Sequence, residues 1–532
     1  MVQPRYGFVF NRKPAQTQPA VVSDMSSVFI TGVSEDAVGA VLPLGSTVWF
    51  NSGDVILLAG MGTGDIADSI VLLNAQLKAR QVAARVAIHR VAKGASDAET
   101  IHNLLGNQAN KTGIFAALDV SRYGFVPRLL MVAGGYTGKA LNRSADSKVV
   151  TQSAKFGGNT GTGLMTLAAP AAGVGVQAGT YRFRCKTAAA NGGIFSAVGP
   201  DGTVLADATV GVAYTGQVKF TIADGTGTGS ADFVVGDGFD VVVSIVPGVL
   251  SANPIVAALP QIENALAAHS VVDGPNTTLQ DGLDFRATIS SDHTILVDFA
   301  VTPSAALAGT YVAGAACAVG IGVGVDFEND GVPSQSWANQ PIAGITALKR
   351  YDTFSLNDGA TEGQELLAQN IGIAEPGSAG DPAAVADAGF VLICFGNCSP
   401  DPAWQFFNVT RLRDYIHLQA QRLWRSRIGK TNITVHGIQA VMNDLIQLLI
   451  DLKSAGHIID FRVGFDANAN SPSTIEAGGI RVYFKAEEAS PLLLITTDSY
   501  RYPDALTGLI QAVAGETNTL LSATTATANT TV

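Results

Sequence analysis

DPAWQFFNVTRLRDYIHLQAQRLW, residues 401–424, opens the stretch on which the fold turns. Leu412, Tyr415, Ile416 and Leu423 recur at helical spacing, with Arg411, Arg413, Asp414, Gln421 and Arg422 between them. That is the pattern of a helix with one apolar face. A second run, VHGIQAVMNDLIQLLIDLKSAG at 435–456, has a wider apolar face built on Ile438, Val441, Met442, Leu445, Leu448, Leu449 and Leu452. Its breadth predicts the more deeply buried of the two helices. Thr434 supplies a polar N-cap and Gly456 a stop. Two extended segments follow, HIIDFRVGFD (457–466) and GGIRVYFKAEE (478–488). In the second, Ile480, Val482 and Phe484 alternate with Arg481, Tyr483 and Lys485, which predicts a half-buried strand. Two helices against a small sheet make a core, and no pair of these side chains looks like a reaction centre.

The first helix, from Trp404 onward, resembles the helix of contractile tail sheath proteins that opens Phe-hydrophobic-Asn-Val-x-Arg. NPIVAALPQIENALAAHSVVDGPNTT, residues 253–278, resembles the same family's Ala/Leu helix, strand and Asp-Gly turn. Trp337, Pro341, Ile342 and Gly344 match its Trp/Ser/Pro-rich loop. The resemblance covers 1–135 and about 251–510. It implies a non-enzymatic structural subunit that forms a homo-oligomer of stacked hexameric rings around a tail tube protein. Baseplate and tail terminator proteins would be further partners, and contraction would drive the tube through a bacterial envelope. The implied location is the virion tail, with the host cytoplasm during assembly. A phage-derived bacteriocin or type VI secretion sheath is the alternative within this class. A nucleotide-dependent α/β enzyme with a β appendage is the rival outside it.

At 532 residues the chain is too long for one core. Hydrophobic residues make up 47%, charged ones only 14%, and there are 58 glycines, which suits β-rich modules and large protein contacts. A net charge of −11 argues against a nucleic-acid partner, since phosphate binding needs clustered Lys and Arg. The start, MVQPRYGFVFNRK, has no apolar core of a signal peptide. SAALAGTYVAGAACAVGIGVGV (304–325) is uncharged and long enough to span a bilayer, but its Ala and Gly contribute little transfer energy. A buried, closely packed helix or loop is expected there, with no direct membrane insertion.

The fold class expected is a multidomain α+β or α/β chain: a sheath-type core from N- and C-terminal segments, an inserted all-β domain and extended terminal arms. Residues 1–22 read as an arm, with a β-prone run at Tyr6–Phe10 among Pro4, Pro14 and Pro19. Residues 23–138 form the first part of the core, with strands at VFITG (28–32), DVILLAG (54–60), ARVAIHRVAK (84–93) and Leu129–Ala133. Gly60, Gly62 and Gly64 give G-x-G-x-G before a helix, without the third-glycine spacing of a dinucleotide loop and without an acidic residue placed for a ribose. Residues 139–250 are Gly/Ala/Thr/Val-rich with turn signals every eight to twelve residues, an all-β pattern. Its Asp201-Gly202, Asp224-Gly225 and Asp237-Gly238 pairs read as hairpin turns. Residues 251–490 resume the core, and 491–532 are a C-terminal strand and low-complexity tail.

No catalytic, cofactor-binding or metal-binding residue is expected. The seven histidines are scattered without a zinc spacing, and neither a nucleophile elbow nor a Walker sequence occurs. Asp273 reads as a turn-capping residue. Candidates for inter-subunit strands are Tyr6, Phe8, Val9 and Phe10, and, by the resemblance, Leu493, Ile495 and Tyr500. Cys185, Cys317, Cys394 and Cys398 form no disulfide framework. Any of them near a subunit boundary could close an inter-subunit disulfide; otherwise they serve as small buried apolar residues.

Overall fold

VFITGV is apolar almost without interruption, so as a strand it must be covered on both faces. The computed structural model shows this. It describes residues 25–120, 124–139, 142–152, 159, 161–225, 233–246, 248, 250–304 and 310–528. The arm residues Tyr6, Phe8, Val9 and Phe10 lie outside these. In chain order come β1 (Val28–Val33), β2 (Thr47–Asn51), α1 (Val55–Gly60), α2 (Asp65–Leu77), β3 (Arg85–Val91), α3 (Asp97–Leu105) and β4 (Leu129–Val132). Ten strands follow: β5 (Asn142–Arg143), β6 (Ser147–Gln152), β7 (Leu164–Ala172), β8 (Gly179–Ala189), β9 (Gly192–Val198), β10 (Val204–Thr209), β11 (Ala213–Thr215), β12 (Val218–Ala223), β13 (Gly238–Val246) and β14 (Leu250–Ser251). Then come α4 (Pro254–Leu266), β15 (His269–Asp273), α5 (Leu279–Ala287), β16 (Thr294–Val297), β17 (Ala300–Pro303), β18 (Val312–Ala313) and α6 (Ala315–Glu328). The next elements are β19 (Gln340–Pro341), β20 (Ile345–Leu348), α7 (Glu362–Ala368), β21 (Ile371–Pro376) and β22 (Phe390–Ile393). The last are α8 (Phe407–Arg425), α9 (Val435–Ser454), β23 (Ile458–Phe465), α10 (Pro472–Glu476), β24 (Val482–Glu488) and α11 (Asp504–Ala528).

Nine strands join one sheet in the order β19-β22-β21-β16-β15-β4-β1-β3-β2. The run from β3 to β21 is parallel throughout, and β2 and β22 close it antiparallel. Alternate residues of β1 feed two cores. Val28 and Ile30 pack with α2 and α6, while Phe29 and Val33 pack with α3, α4 and α5. Helix α6 takes up the end of the uncharged Ala/Gly run and continues through Asp326 to Glu328, and close packing explains its glycines. A Cβ on Gly320 would stand 2.7 Å from the Leu73 carbonyl oxygen, and one on Gly322 would stand 2.4 Å from the Trp337 ring. Only Gly lets α6 lie this close to α2 and Trp337. Among the described residues no helix is long and apolar enough to cross a membrane.

The ten strands between β4 and α4 pair among themselves, as a five-stranded sheet (β10-β9-β8-β13-β6), a three-stranded sheet (β11-β12-β7) and the ribbon β14-β5. They enclose their own core of Tyr181, Phe183, Phe195, Phe220, Phe233 and Phe239. Chain entry and exit are neighbours: Arg143 pairs with Leu250 and Asn142 with Ser251. At two of the Asp-Gly turns the Asp carboxylate accepts from the local backbone, Asp201 from Thr203 N at 3.0 Å and Asp237 from Val234 N at 2.9 Å.

Three expectations need correction. DVILLAG is not a strand: Asp54 accepts from the amides of Ile56 and Leu57 and starts helix α1, whose Val55, Ile56 and Leu58 face outward. Helix α9 is the less buried of the C-terminal pair, with Leu445, Leu449 and Leu452 covered and Ile438, Val441, Met442 and Leu448 only partly buried. The Thr/Ala-rich tail is helical to Ala528. Residues 1–489 and 490–532 are separate compact units, and in the second the stretch LLLITT forms no strand.

Candidate assembly surface

Helix α8 buries Phe407, Leu412, Ile416 and Ala420, the last three with Leu445, Leu449, Leu452 and Ile458. Arg413 holds β24 by donating to Glu488 at 2.6 and 2.8 Å. Arg427 donates to Asp444 of α9, and Trp424 Nε1 to the Val441 carbonyl at 3.1 Å. Arg411, placed by sequence on the polar side, is fully buried. It forms a two-pronged ion pair with Asp326 of α6 at 2.6 and 3.1 Å and donates to the Met25 carbonyl at 3.0 Å. Ser26 Oγ donates to the same carboxylate at 2.6 Å. Nothing in the local pattern marks this pair, because its partner lies on another helix far back in the chain.

The β23–β24 hairpin packs Phe461, Val463, Phe484 and Ala486 against the helix pair. Among the described residues each of these strands pairs only with the other. Both outer edges therefore present unpaired backbone groups, the form of surface that takes up a further strand. The second unit carries Leu492, Leu493, Leu494, Ile495, Tyr500 and Tyr502 in exposed, irregular chain, Leu494 at 81% and Tyr500 at 88% exposure. Its helix α11 exposes Leu506, Leu509, Ile510 and Val513. Contiguous exposed apolar chain of this kind marks an interaction site.

The chemical candidates fall elsewhere. All four cysteines are free and buried, and burial pushes their thiol pKa values up, Cys398 to about 12. None reaches the surface, so an inter-subunit disulfide would require opening a core. In the glycine loop Asp36 accepts from Thr63 N at 2.7 Å and Thr63 Oγ1 at 2.9 Å, occupying the amide that a phosphate would use. Asp273 accepts from Ala315 N at 2.7 Å and anchors α6. Its burial pushes its pKa up to about 7.

Glu375 on β21 is buried without a hydrogen-bond partner for Oε1. Burial first, then the charge of Asp352, raises its pKa from 4.5 to about 8, against the pull of Arg350. Its ionisation therefore costs the folded state, and the cost grows as pH rises above 4.5. Glu375→Gln should raise stability at pH 8 by on the order of 2 kcal/mol and change it little at pH 4. Urea denaturation at the two pH values measures this; equal effects at both would refute it.

Residues 399–496 match the family model of the phage tail sheath C-terminal domain, the region of α8, α9 and the hairpin. The chain is also 27% identical over 240 residues to a Pseudomonas aeruginosa (strain UCBPP-PA14) protein described as a prophage major tail sheath protein. Over these stretches the chain resembles phage tail sheath proteins. That alignment takes in 44% of this chain and 58% of the relative's length, so it spans less than two thirds of it. Two solved structures share the fold across 94% of this chain and all of theirs: the helical sheath of the anti-feeding prophage in its contracted state (TM-score 0.52, 12% identity) and a chain of that particle's baseplate (TM-score 0.51, 10% identity).

Proposed function

We propose that the chain polymerises as the sheath of a contractile phage tail, or of a phage-derived device of the same build. It would form stacked hexameric rings around a tail tube protein, ending at baseplate and terminator proteins, in the virion after assembly in the host cytoplasm. The observation that carries this is the hairpin with two open edges, in a chain whose ends offer two β-prone segments. Each subunit would lend strands to its neighbours' hairpins. Contraction would be a change between two packings of one fold, with the extended one kinetically trapped. No enzymatic step or nucleotide is needed, since many subunits each releasing a few kcal/mol supply the work. The β-rich segment 139–250 is on this reading a peripheral insertion, because its entry and exit are already paired at β5 and β14.

Negative-stain microscopy tests both statements. The purified full chain should form long striated tubes, and a variant with residues 144–249 replaced by a short Gly/Ser linker should form them too, since closing adjacent ends costs little. Monodisperse full-length particles that bind nucleotide would overturn the sheath reading. Tubes from the full chain and none from a soluble deletion variant would overturn the peripheral role alone.

A further inference from the structure

Parallel strands β15 and β16 pair Ser270 with Thr294, which sets the preceding residues, His269 and His293, side by side at the end of the sheet. Their rings stack with centroids 4.7 Å apart. Helix α8 brings Asp414 to them, with Asp414 Oδ2 at 3.0 Å from His293 Nε2 and 3.8 Å from His269 Nε2. One ligand atom from each of the three residues lies within 4.8 Å of the other two. These spacings are near those of neighbouring ligands around one small cation at about 2.0–2.2 Å per bond.

We propose that His269, His293 and Asp414 bind a divalent transition-metal ion of the zinc class, with water completing a tetrahedral shell. Two imidazoles and one carboxylate are a donor set for such an ion and not for calcium or magnesium, which take oxygen ligands. The surrounding groups hold the rings in the ligating form. His293 Nδ1 is bonded to Asp292 Oδ1 at 2.6 Å, the carboxylate–histidine arrangement that turns Nε2 toward a metal. Ser291 and Thr294, on either side, donate to buried Glu263 at 2.7 Å each and fix this turn. His269 is fully buried with its Nδ1 unpartnered, while its Nε2 faces Thr410 Oγ1 at 3.3 Å and the Asp414 carboxylate. Nε2 is the nitrogen that would ligate, and the proton would then sit on Nδ1. On binding, the Nε2 lone pair of each histidine bonds the ion, and the proton that joined His293 to Asp414 leaves to solvent. The charged groups around the two rings are Arg411 and Arg128 near His269, and Asp292, Asp414 and Glu263 near His293.

The metal would clamp α8, and with it the hairpin module, to the central sheet. This holds whether or not the chain forms tubes. The test uses untagged full-length protein, stripped with chelator and titrated with zinc sulfate by calorimetry, and with cobalt(II) by absorption. One ion per chain is expected, and cobalt should give the visible bands of a tetrahedral nitrogen/oxygen site without thiolate charge transfer. His293→Ala and Asp414→Ala should weaken binding by about 100-fold or more, and Asp292→Asn, which keeps every ligand, by about 10–100-fold. Circular dichroism confirms that the variants fold; if either alanine variant does not, Asp292→Asn decides. Absence of stoichiometric uptake, a thiolate band, or affinity unchanged in the folded variants would overturn the site.

Discussion

Arg411→Ala should cost the folded chain about 3–5 kcal/mol, the largest single loss expected from any side chain outside the apolar cores. The substitution leaves Asp326 fully buried with only Ser26 beside it, and removes the donor to the Met25 carbonyl. A buried carboxylate stripped of its cation is far more costly than the intact pair is stabilising. The double variant Arg411→Met, Asp326→Leu removes both charges together, and should recover most of the loss even though Ser26 loses its acceptor. Urea denaturation of the three proteins, followed by far-ultraviolet circular dichroism, measures the difference. A single variant within about 1 kcal/mol of the parent would show that water reaches the Asp326 carboxylate and that the pair is not sealed.

This pair also shows where the sequence was legible. Periodicity found α8, α9, the hairpin and the parallel strands, because each is a local pattern whose period follows from backbone geometry. The same rule placed Arg411 among solvent-facing residues, since a charge between apolar positions is normally exposed. Its burial depends on Asp326, supplied by a helix of Ala and Gly whose own pattern says nothing of a charge partner. The breadth of α9's apolar face was legible, but its destination was not. An apolar face predicts burial, and among the described residues Ile438, Val441, Met442 and Leu448 are covered only in part. DVILLAG failed for a different reason. A short apolar run fits strand and helix equally, and the Asp54 cap decided it. His269, His293 and Asp414 were invisible as a group because strand register and a distant helix bring them together, and no spacing records that.

Removing either chain end should abolish tubes while leaving a folded monomer. Deletion of 1–20 takes away Tyr6–Phe10, argued from sequence alone, and deletion of 491–532 takes away the exposed run from Leu492 to Ile495. A five-residue strand added to a hairpin edge makes about four or five hydrogen bonds, each worth on the order of 1 kcal/mol net. Burying a side chain such as Phe8 or Ile495 adds roughly 1.5–3 kcal/mol before ordering costs. Two such strands per subunit would link every ring to its neighbours, so losing one kind should break the lattice. Residues 25–489 should not suffer, because the sheet, both of its faces and the hairpin module are built from that segment itself. Circular dichroism beside sedimentation velocity on each truncated protein is the measurement. An unchanged spectrum with a monomer boundary is the expected pair of results. Persisting tubes would mean that the deleted end is only a tail, and a collapsed spectrum would mean that it completes its own subunit's fold.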